Sequence, residues 1–519
     1  MEENKVTPET LEKEPIPQPV PDTFPLEKRD LIFSALLLLG ALILSTIGFF
    51  GGFNAGFTMA SLIIFATIFL YLHNKNFKIG IFPSVCGILA VILPVSFSIT
   101  SNGEVKFWSF VAVILLSLVF FNALVAKNAP EGDLGILRLV GSSFSNSLSF
   151  VPKTILSLFS AEIIKKKGIG KILLGIALSI PVLLIVVPLL ISSDAAFSGL
   201  IETIAENSSN AVLKIIIGII LAPFIISFCF YSKLEEKKPF VKSSFKGIDS
   251  TIIIPFLSVI SVCYFAYLFS QLAYFFSAFR GFLPDNYAFS LSAYARRGFF
   301  EMVIIAVINF AIIFGALLLS TKSEGKMGLP SRLLCLFMSV FTLVIIATAL
   351  SKMILYIETF GMTRLRITTS AFMLFLAIVF ISLVIRLFVP KIKVLKVALI
   401  AASVTLIALG FLNVNRVIAD YNCWAYKEGF VENMDVKTIY ELGDEGVPYL
   451  IELTNDSDHF VAGQAKNFLD KVIQNELYEV EQSKNGYKII GKRYSGFDEF
   501  NFSRKTAYEA VEEYLNSTK

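Results

Sequence analysis

Long, uninterrupted apolar runs dominate the first 413 residues of the chain. Helices of about 20 residues, rising ~1.5 Å per residue, cross the ~30 Å hydrocarbon core of a bilayer. Eleven runs reach that length, at residues 31–50, 53–72, 79–100, 105–126, 169–192, 211–231, 251–276, 299–320, 331–357, 367–389 and 394–413. The pattern therefore predicts an all-α, polytopic membrane protein with about eleven transmembrane helices spread over residues 29–413.

The two ends of the chain depart from this pattern. Residues 1–28 carry six prolines among Glu and Lys, a composition that predicts a disordered tail. Residues 414–519 are polar enough to form a small, mostly helical soluble domain. Within it we expect a short helix pair around Gly443–Gly446, a longer helix at 458–481, a brief strand at 487–490 and a last helix at 503–516.

Residues 134–163 are only moderately apolar, because Ser and Gly are frequent and Arg138 and Lys153 interrupt them. Apolar side chains recur there at helical spacing, as in Ile136, Leu139 and Val140. We interpret the segment as one or two amphipathic helices in the membrane interface. An additional membrane span is the alternative.

Composition and charge narrow the class of protein and suggest its orientation. With 55% apolar and 17% charged residues, the chain is not a soluble enzyme, a disordered protein or a disulfide-stapled secreted domain. The net charge of +4 hides a basic middle, because residues 31–413 carry +15 between two acidic ends. Basic loops flank the cytoplasmic ends of spans, and 25 basic residues fall on one side against 7 on the other. We therefore predict a cell-membrane protein with a cytoplasmic N-terminus and an extracytoplasmic C-terminal domain.

Two clusters of charge on the predicted outer face are the candidate binding pocket. The first cluster, before and at the start of the eighth span, is Arg280, Asp285, Tyr294, Arg296, Arg297 and Glu301. The second, around the connection after the ninth span, contributes Glu358, Arg364 and Arg366. Together they could hold an anionic headgroup or a carboxylate. An Arg297–Glu301 ion pair at i,i+4 and snorkelling at helix ends explain the same residues structurally.

Other chemistry finds little support in the sequence. The five cysteines form no CxxC pair and there are only two histidines, so no metal or other cofactor is predicted. The basic residues alternate with apolar runs, which points to membrane lipids as partners rather than nucleic acid. No Asp, Glu or His lies near the centre of a predicted span, which lowers the expectation of an ion-coupled transporter.

Three stretches carry a family resemblance. Residues 294–301 read YARRGFFE, residues 413–422 read NVNRVIADYN, and residues 440–450 read YELGDEGVPYL. These resemble an uncharacterised bacterial membrane family, the domain of unknown function 4173. Members of that family usually show Asp-Ala before Val-Pro, whereas Glu445-Gly446 stands here. The resemblance covers most of residues 30–455 and implies topology but no activity.

The function expected from the sequence is that of a non-enzymatic envelope protein. It would bind a lipid headgroup, or a membrane or extracytoplasmic protein partner, at its outer face, in signalling or envelope homeostasis. A transporter or lipid-handling permease is the alternative. A lipid-modifying membrane enzyme is the third possibility.

Overall fold

A computed structural model of the protein describes most of the chain. The described residues are 23–49, 52–73, 79–125, 134–160, 211–234, 248–278, 299–320, 327–483, 486–492 and 496–517, with scattered positions between 175 and 199. Most of them are helical, and the strands are confined to one hairpin. The predicted all-α class is confirmed. Most of the predicted tail 1–28 and most of the predicted span 169–192 lie outside the described residues.

Eleven long helices make up the described N-terminal part. They are α1 Lys28–Ile43, α2 Ala55–Leu72, α3 Ile81–Ile92, α4 Gly103–Val125, α5 Gly135–Ser160, α6 Ala211–Leu234, α7 Ser250–Ala278, α8 Phe299–Leu319, α9 Leu329–Phe360, α10 Arg364–Phe388 and α11 Val394–Phe411. A wider turn prolongs α1 to Phe49, and a tighter one carries α3 past Pro94 to Ser98. All except α5 are long and apolar enough to cross a membrane. These ten helices match ten of the eleven predicted spans, and the chain is a multi-span membrane protein.

Helix α5 corresponds to the segment interpreted as amphipathic, and it is one helix rather than two. Its small polar residues face α6: Ser227 Oγ donates to the carbonyl of Ser147 at 2.6 Å. Asn146 Nδ2 also donates to the hydroxyl of Tyr231 at 2.6 Å. The helix thus pairs closely with a spanning helix. Its placement in the membrane interface stays a prediction.

The spanning helices form two packed groups that α11 connects. Helices α7 to α10 share a core that includes Leu257, Ile313 and Phe380. Helices α1, α2, α4 and α6 share another, with Leu37 and Phe230 at its centre. Helix α11 packs against α10 on one side and against α3 and α4 on the other. The end of α11 therefore emerges between the first residues of α4 and of α10.

The chain changes direction at Asn413, whose φ of 48° is left-handed. The C-terminal region, as we call Val414–Ser517, follows at once. Its elements are α12 Val414–Lys427, α13 Val436–Glu441, α14 Val447–Leu453, α15 His459–Val472, β1 Tyr478–Ser483, β2 Gly486–Lys492 and α16 Phe502–Ser517. They enclose a core of their own around Ile418, Ile439 and Leu469.

One predicted element of this region is wrong in part. The helix expected at 458–481 ends at Val472, and after a wide turn the chain enters the antiparallel hairpin β1–β2. The apolar residues Tyr478 and Val480 alternate there with Glu479 and Glu481. Alternation with a period of two is the strand pattern, and it overrides the preceding helical periodicity. The predicted strand at 487–490 lies within β2, and the predicted last helix is α16.

Candidate functional site

Most of the first predicted cluster falls where the structure gives no description. Arg280, Asp285, Tyr294, Arg296 and Arg297 lie outside the described residues. Glu301 is described as an exposed residue in the first turn of α8. A pocket shared by the two clusters therefore stays a prediction.

The second cluster divides between different environments. Arg366 donates to the carbonyls of Phe360, at 2.9 Å, and of Gly361, while its guanidinium lies 4.0 Å from the ring centre of Tyr356. It thereby satisfies carbonyls at the end of α9, a structural role. Glu358 is exposed. Arg364 alone turns inward, and its Nε donates to Asn415 Oδ1 at 3.0 Å.

Asn415 is the centre of a buried polar junction between the spanning bundle and the C-terminal region. Its Oδ1 also accepts from Asn102 Nδ2 at 3.1 Å, and its Nδ2 donates to the carbonyl of Leu442 at 3.1 Å and to Glu445 Oε2 at 3.3 Å. Since one side chain has both its acceptor and its donor engaged, it fixes the relative position of three separate chain segments.

Glu445 supplies the negative charge of this junction. The residue is 5% exposed. Its Oε1 accepts from the backbone N–H of Ser101 at 2.8 Å, and its Oε2 accepts from the Ser101 hydroxyl as well as from Asn415. A buried carboxylate is stable only when it is paired or well hydrogen-bonded. The α3–α4 connection thus holds the turn between α13 and α14 by a charge-assisted contact.

A second polar layer closes the end of α3. Asn501 Nδ2 donates to the carbonyls of Phe97 at 3.1 Å and Thr100 at 3.0 Å, and Ser503 Oγ donates to the carbonyl of Ile99 at 2.9 Å. The last carbonyls of a helix have no partner within it. Residues at the start of α16 satisfy them here.

A cavity of about 430 Å³, which we call the junction pocket, opens between these layers. Its lining residues come from the α1–α2 connection, from the α3–α4 connection with the first turns of α4, and from the start of α16. They are Gly52, Phe53, Asn54, Ser101, Gly103, Lys106, Phe107, Phe110, Glu499 and Arg504. One of its apolar lining residues, Phe107, is 59% exposed.

Two cations line the junction pocket. Lys106 is buried and its Nζ donates to Asn54 Oδ1 at 2.7 Å. Arg504 Nε lies 3.1 Å from Asp444 Oδ2. Burial raises the pKa of Asp444 above its ordinary value, even though Arg504 opposes the shift. With Glu499 also on the wall, the pocket presents two cations and one acid beside three phenylalanines, a set that suits a small ligand bearing a phosphate.

Two asparagines deep in the described spans, Asn309 and Asn122, are hydrogen-bonded within the bundle. Asn309 accepts from the Tyr264 hydroxyl at 2.6 Å and donates to Thr342 Oγ1 at 2.8 Å. Asn122 donates to the carbonyl of Leu118 in its own helix at 2.8 Å. The contacts of Asn309 join helices, and that of Asn122 stays within its own helix. The pocket does not involve these residues and lies at the end of the bundle.

The stretches at 413–422 and 440–450 both build the junction. Besides Asn415 and Glu445, Asn422 accepts from the N–H of Met362 at 2.6 Å and donates to its carbonyl at 2.8 Å. The neighbouring Gly361 has a φ of 75°, and a Cβ there would lie 2.7 Å from Asn422 Oδ1. The turn between α9 and α10 therefore requires a glycine.

Gly446, in the last of the three stretches, also makes a close backbone contact. A Cβ at this position would overlap the carbonyl oxygen of Ile439. In this chain α13 approaches the start of α14 so closely that only glycine fits between them.

Comparison with protein families identifies these residues as part of a larger unit. A model of a domain of unknown function, DUF4153, matches residues 59–453. The chain belongs to the DUF4153 family. The number differs from the 4173 expected from the short stretches, while the expectation of a family without assigned function holds. No curated protein and no solved structure matches the chain.

Only part of the lining of the junction pocket lies within the residues that match DUF4153. Ser101 and Lys106 lie inside the matched residues, whereas Asn54, Glu499 and Arg504 lie outside them. Sequence reasoning did not select Lys106 or Arg504, since neither is part of a recognisable motif. Asn415 and Glu445 lie within the stretches that carry the family resemblance. The signal available in the sequence was an amide or an acid placed beside apolar residues.

Proposed function

We propose that this protein is a non-enzymatic membrane protein that binds the phosphate-bearing headgroup of a phospholipid in the junction pocket. The observation that carries the proposal is the presence of Lys106 and Arg504 on the wall of one cavity at the end of the spanning bundle. A phosphate bound there would accept hydrogen bonds from both side chains. Lysine and arginine are the usual phosphate ligands in proteins.

The size and the lining of the pocket support this ligand. Small-molecule sites occupy about 300–1,000 Å³ and combine apolar walls with a few polar groups, and the volume of about 430 Å³ lies in that range. The hydrogen bond to Asn54 uses one of the three N–H donors of Lys106. Phe107, which lines the pocket, is 59% exposed, and its ring contacts that of Trp108, 58% exposed; these two side chains would contact the acyl chains of a bound phospholipid.

The charge distribution supports an extracytoplasmic address for the pocket in the cell membrane. The basic segments collect at the other end of the bundle, as expected for the cytoplasmic side. Single cysteines in an otherwise cysteine-free chain test this orientation. A membrane-impermeant maleimide applied to intact cells should label Lys437→Cys and leave His73→Cys unlabelled, and the reverse result would invert the topology.

Lipid retention tests the binding proposal directly. The full chain is purified from native membranes in mild detergent, and the bound phospholipid is quantified by mass spectrometry. We expect Lys106→Gln to retain at least tenfold less than the parent chain. The matched control is Lys505→Gln, which removes the same charge one residue from Arg504 but on an exposed side chain.

Thermal unfolding separates binding from folding in the same variants. Added phospholipid should raise the Tm of the parent and of Lys505→Gln, and should leave that of Lys106→Gln unchanged. Glycerol phosphate in place of phospholipid shows whether a free phosphate compound suffices. Equal lipid retention and an equal Tm shift in Lys106→Gln and the parent would contradict the proposal.

A further inference from the structure

A strip of apolar and aromatic side chains lies uncovered on α12 and just beyond it. It consists of Val417, Tyr421, Trp424 and Phe430, and we call it the aromatic strip. The exposed fractions are 40% for Val417, 50% for Trp424 and 64% for Phe430. The ring of Trp424 lies 5.8 Å from that of Tyr421 and 5.2 Å from that of Phe430, centre to centre.

The strip is not part of the core that folds the C-terminal region. Positions 417, 421 and 424 share one face of the helix by their i, i+4, i+7 spacing. Ile418, Ala419 and Cys423, on the other side of α12, are the residues buried in that core. The aromatic side chains are therefore available for another contact.

The strip lies beside the turn between two spanning helices. Asn422, next to Tyr421, holds both backbone groups of Met362 in the turn between the spanning helices α9 and α10. Tyr421 also lies near Glu358 in the last turn of α9, and burial together with this carboxylate raises the pKa of the tyrosine. A turn between two spans lies at the bilayer surface, so α12 passes at the level of the lipid headgroups.

We propose that the aromatic strip is inserted into the headgroup layer of the membrane that the bundle spans, so that the C-terminal region rests on the lipid surface. Tryptophan and tyrosine concentrate at this depth because an apolar ring and a polar N–H or O–H are both accommodated there. Phe360, the last residue of α9, is also an exposed aromatic side chain. Lys427, at the end of α12, is engaged in an ion pair with Glu452, so the proposed contact rests on the apolar and aromatic side chains. This contact is independent of the junction pocket.

Tryptophan fluorescence measures the depth of the strip. The chain contains two tryptophans, Trp108 and Trp424, so Trp108→Phe leaves Trp424 as the sole reporter. The full-length variant is reconstituted into bilayer nanodiscs whose lipids carry bromine at acyl carbons 6 and 7, or at carbons 11 and 12. Iodide in the buffer reports exposure to water. Trp424→Phe, with only Trp108 emitting, serves as the reference for a residue at the end of a span.

We expect Trp424 to be quenched by the brominated lipids, more strongly by the shallow bromines than by the deep ones, and to resist iodide. Strong quenching by iodide with none by bromine would place the strip in water and overturn the proposal. Resistance to both quenchers would show that protein covers the strip, and would equally overturn it. Failure of phospholipid retention in the Lys106 variant leaves this result unaffected.

Discussion

The two ends of the spanning bundle are closed by different chemistry. At the end where α1 begins, Asp30 is 5% exposed and accepts from Lys233 Nζ at 2.8 Å, from the Tyr71 hydroxyl at 2.9 Å and from the N–H of Glu27 at 3.0 Å. One ion pair thus ties α1, α2 and α6 together. At the junction end, buried amides, the guanidinium of Arg364 and the carboxylate of Glu445 hold a separately packed region against the bundle.

The two ends therefore differ in what their polar contacts do: one holds helices together, and the other fixes the position of the C-terminal region. Lys233 keeps 35% of its side chain exposed, so its charge remains partly solvated. Asn415, by contrast, is fully buried and makes directional hydrogen bonds with Arg364, Asn102, Leu442 and Glu445. Directional contacts among buried groups specify one arrangement. The junction end therefore determines where the C-terminal region sits.

Removing the carboxylate of the junction should have the largest effect. Glu445→Ala leaves buried donors of Ser101 and Asn415 without their acceptor, which we expect to cost about 3 kcal/mol of unfolding free energy. Unfolding in detergent with increasing denaturant measures it. Glu441→Ala is the control, because the Glu441–Lys437 pair is exposed and such pairs contribute roughly 0–1 kcal/mol. Equal losses in both variants would contradict a junction held by Glu445.

Adding a methyl group at the closest backbone contact of the junction should have the second largest effect on stability. Gly446→Ala forces α13 and the start of α14 apart, at an expected cost of about 2 kcal/mol. Gly463→Ala in α15 adds the same methyl group where no atom lies within 4 Å. There we expect a gain of roughly 0.5–1 kcal/mol from better helix propensity. A stabilising effect at both positions would show that the close backbone contact is absent.

At the opposite end the loss should be smaller. Asp30→Asn weakens the ion pair, but Lys233 can extend into water, so we expect about 1–2 kcal/mol. A double-mutant cycle with Lys233→Met measures the coupling. A loss larger than that of Glu445→Ala would reverse the ranking of the two ends.

The smallest expected effect is a pH dependence of the stability that comes from Asp444, the partner of Arg504 on the pocket wall. Because burial raises the folded-state pKa of Asp444, its stabilising contribution is complete below the ordinary value of 3.8 and declines as the pH rises through the raised pKa. The stability of the parent relative to Asp444→Asn should therefore fall as the pH rises above the ordinary carboxyl pKa of 3.8. Chemical unfolding at several pH values measures this difference. A difference that grows with pH would mean that Arg504 outweighs burial.

Hydrophobic pattern alone predicted the architecture well. Ten of the predicted spans coincide with helices because an apolar run of bilayer length has one low-energy state in lipid. The pattern failed at 478–481, where a short stretch of alternating residues forms a strand directly after a helical segment that ends at Leu477.

The site was less accessible to sequence reasoning. Arg364 was selected for its charge alone. In the structure its guanidinium hydrogen-bonds to Asn415, which lies 51 positions away in the sequence. Lys106 and Arg504 gave no signal, since they meet only through the packing of the first two helical hairpins against α16. Residues far apart in sequence and without a motif are brought together by tertiary structure, which periodicity does not encode.

The residues that cap the end of α3 are synthesised long after α3 itself. Asn501 follows its acceptor Thr100 by 401 positions, so the first helices enter the membrane long before the residues that complete their end are made. Until Asn501 arrives, the carbonyls of Phe97 and Thr100 lack the hydrogen bonds that its side chain donates to them. The closing of the junction is thus a late event of biogenesis, and it marks a chain that has been translated past α15 and folded back onto its beginning.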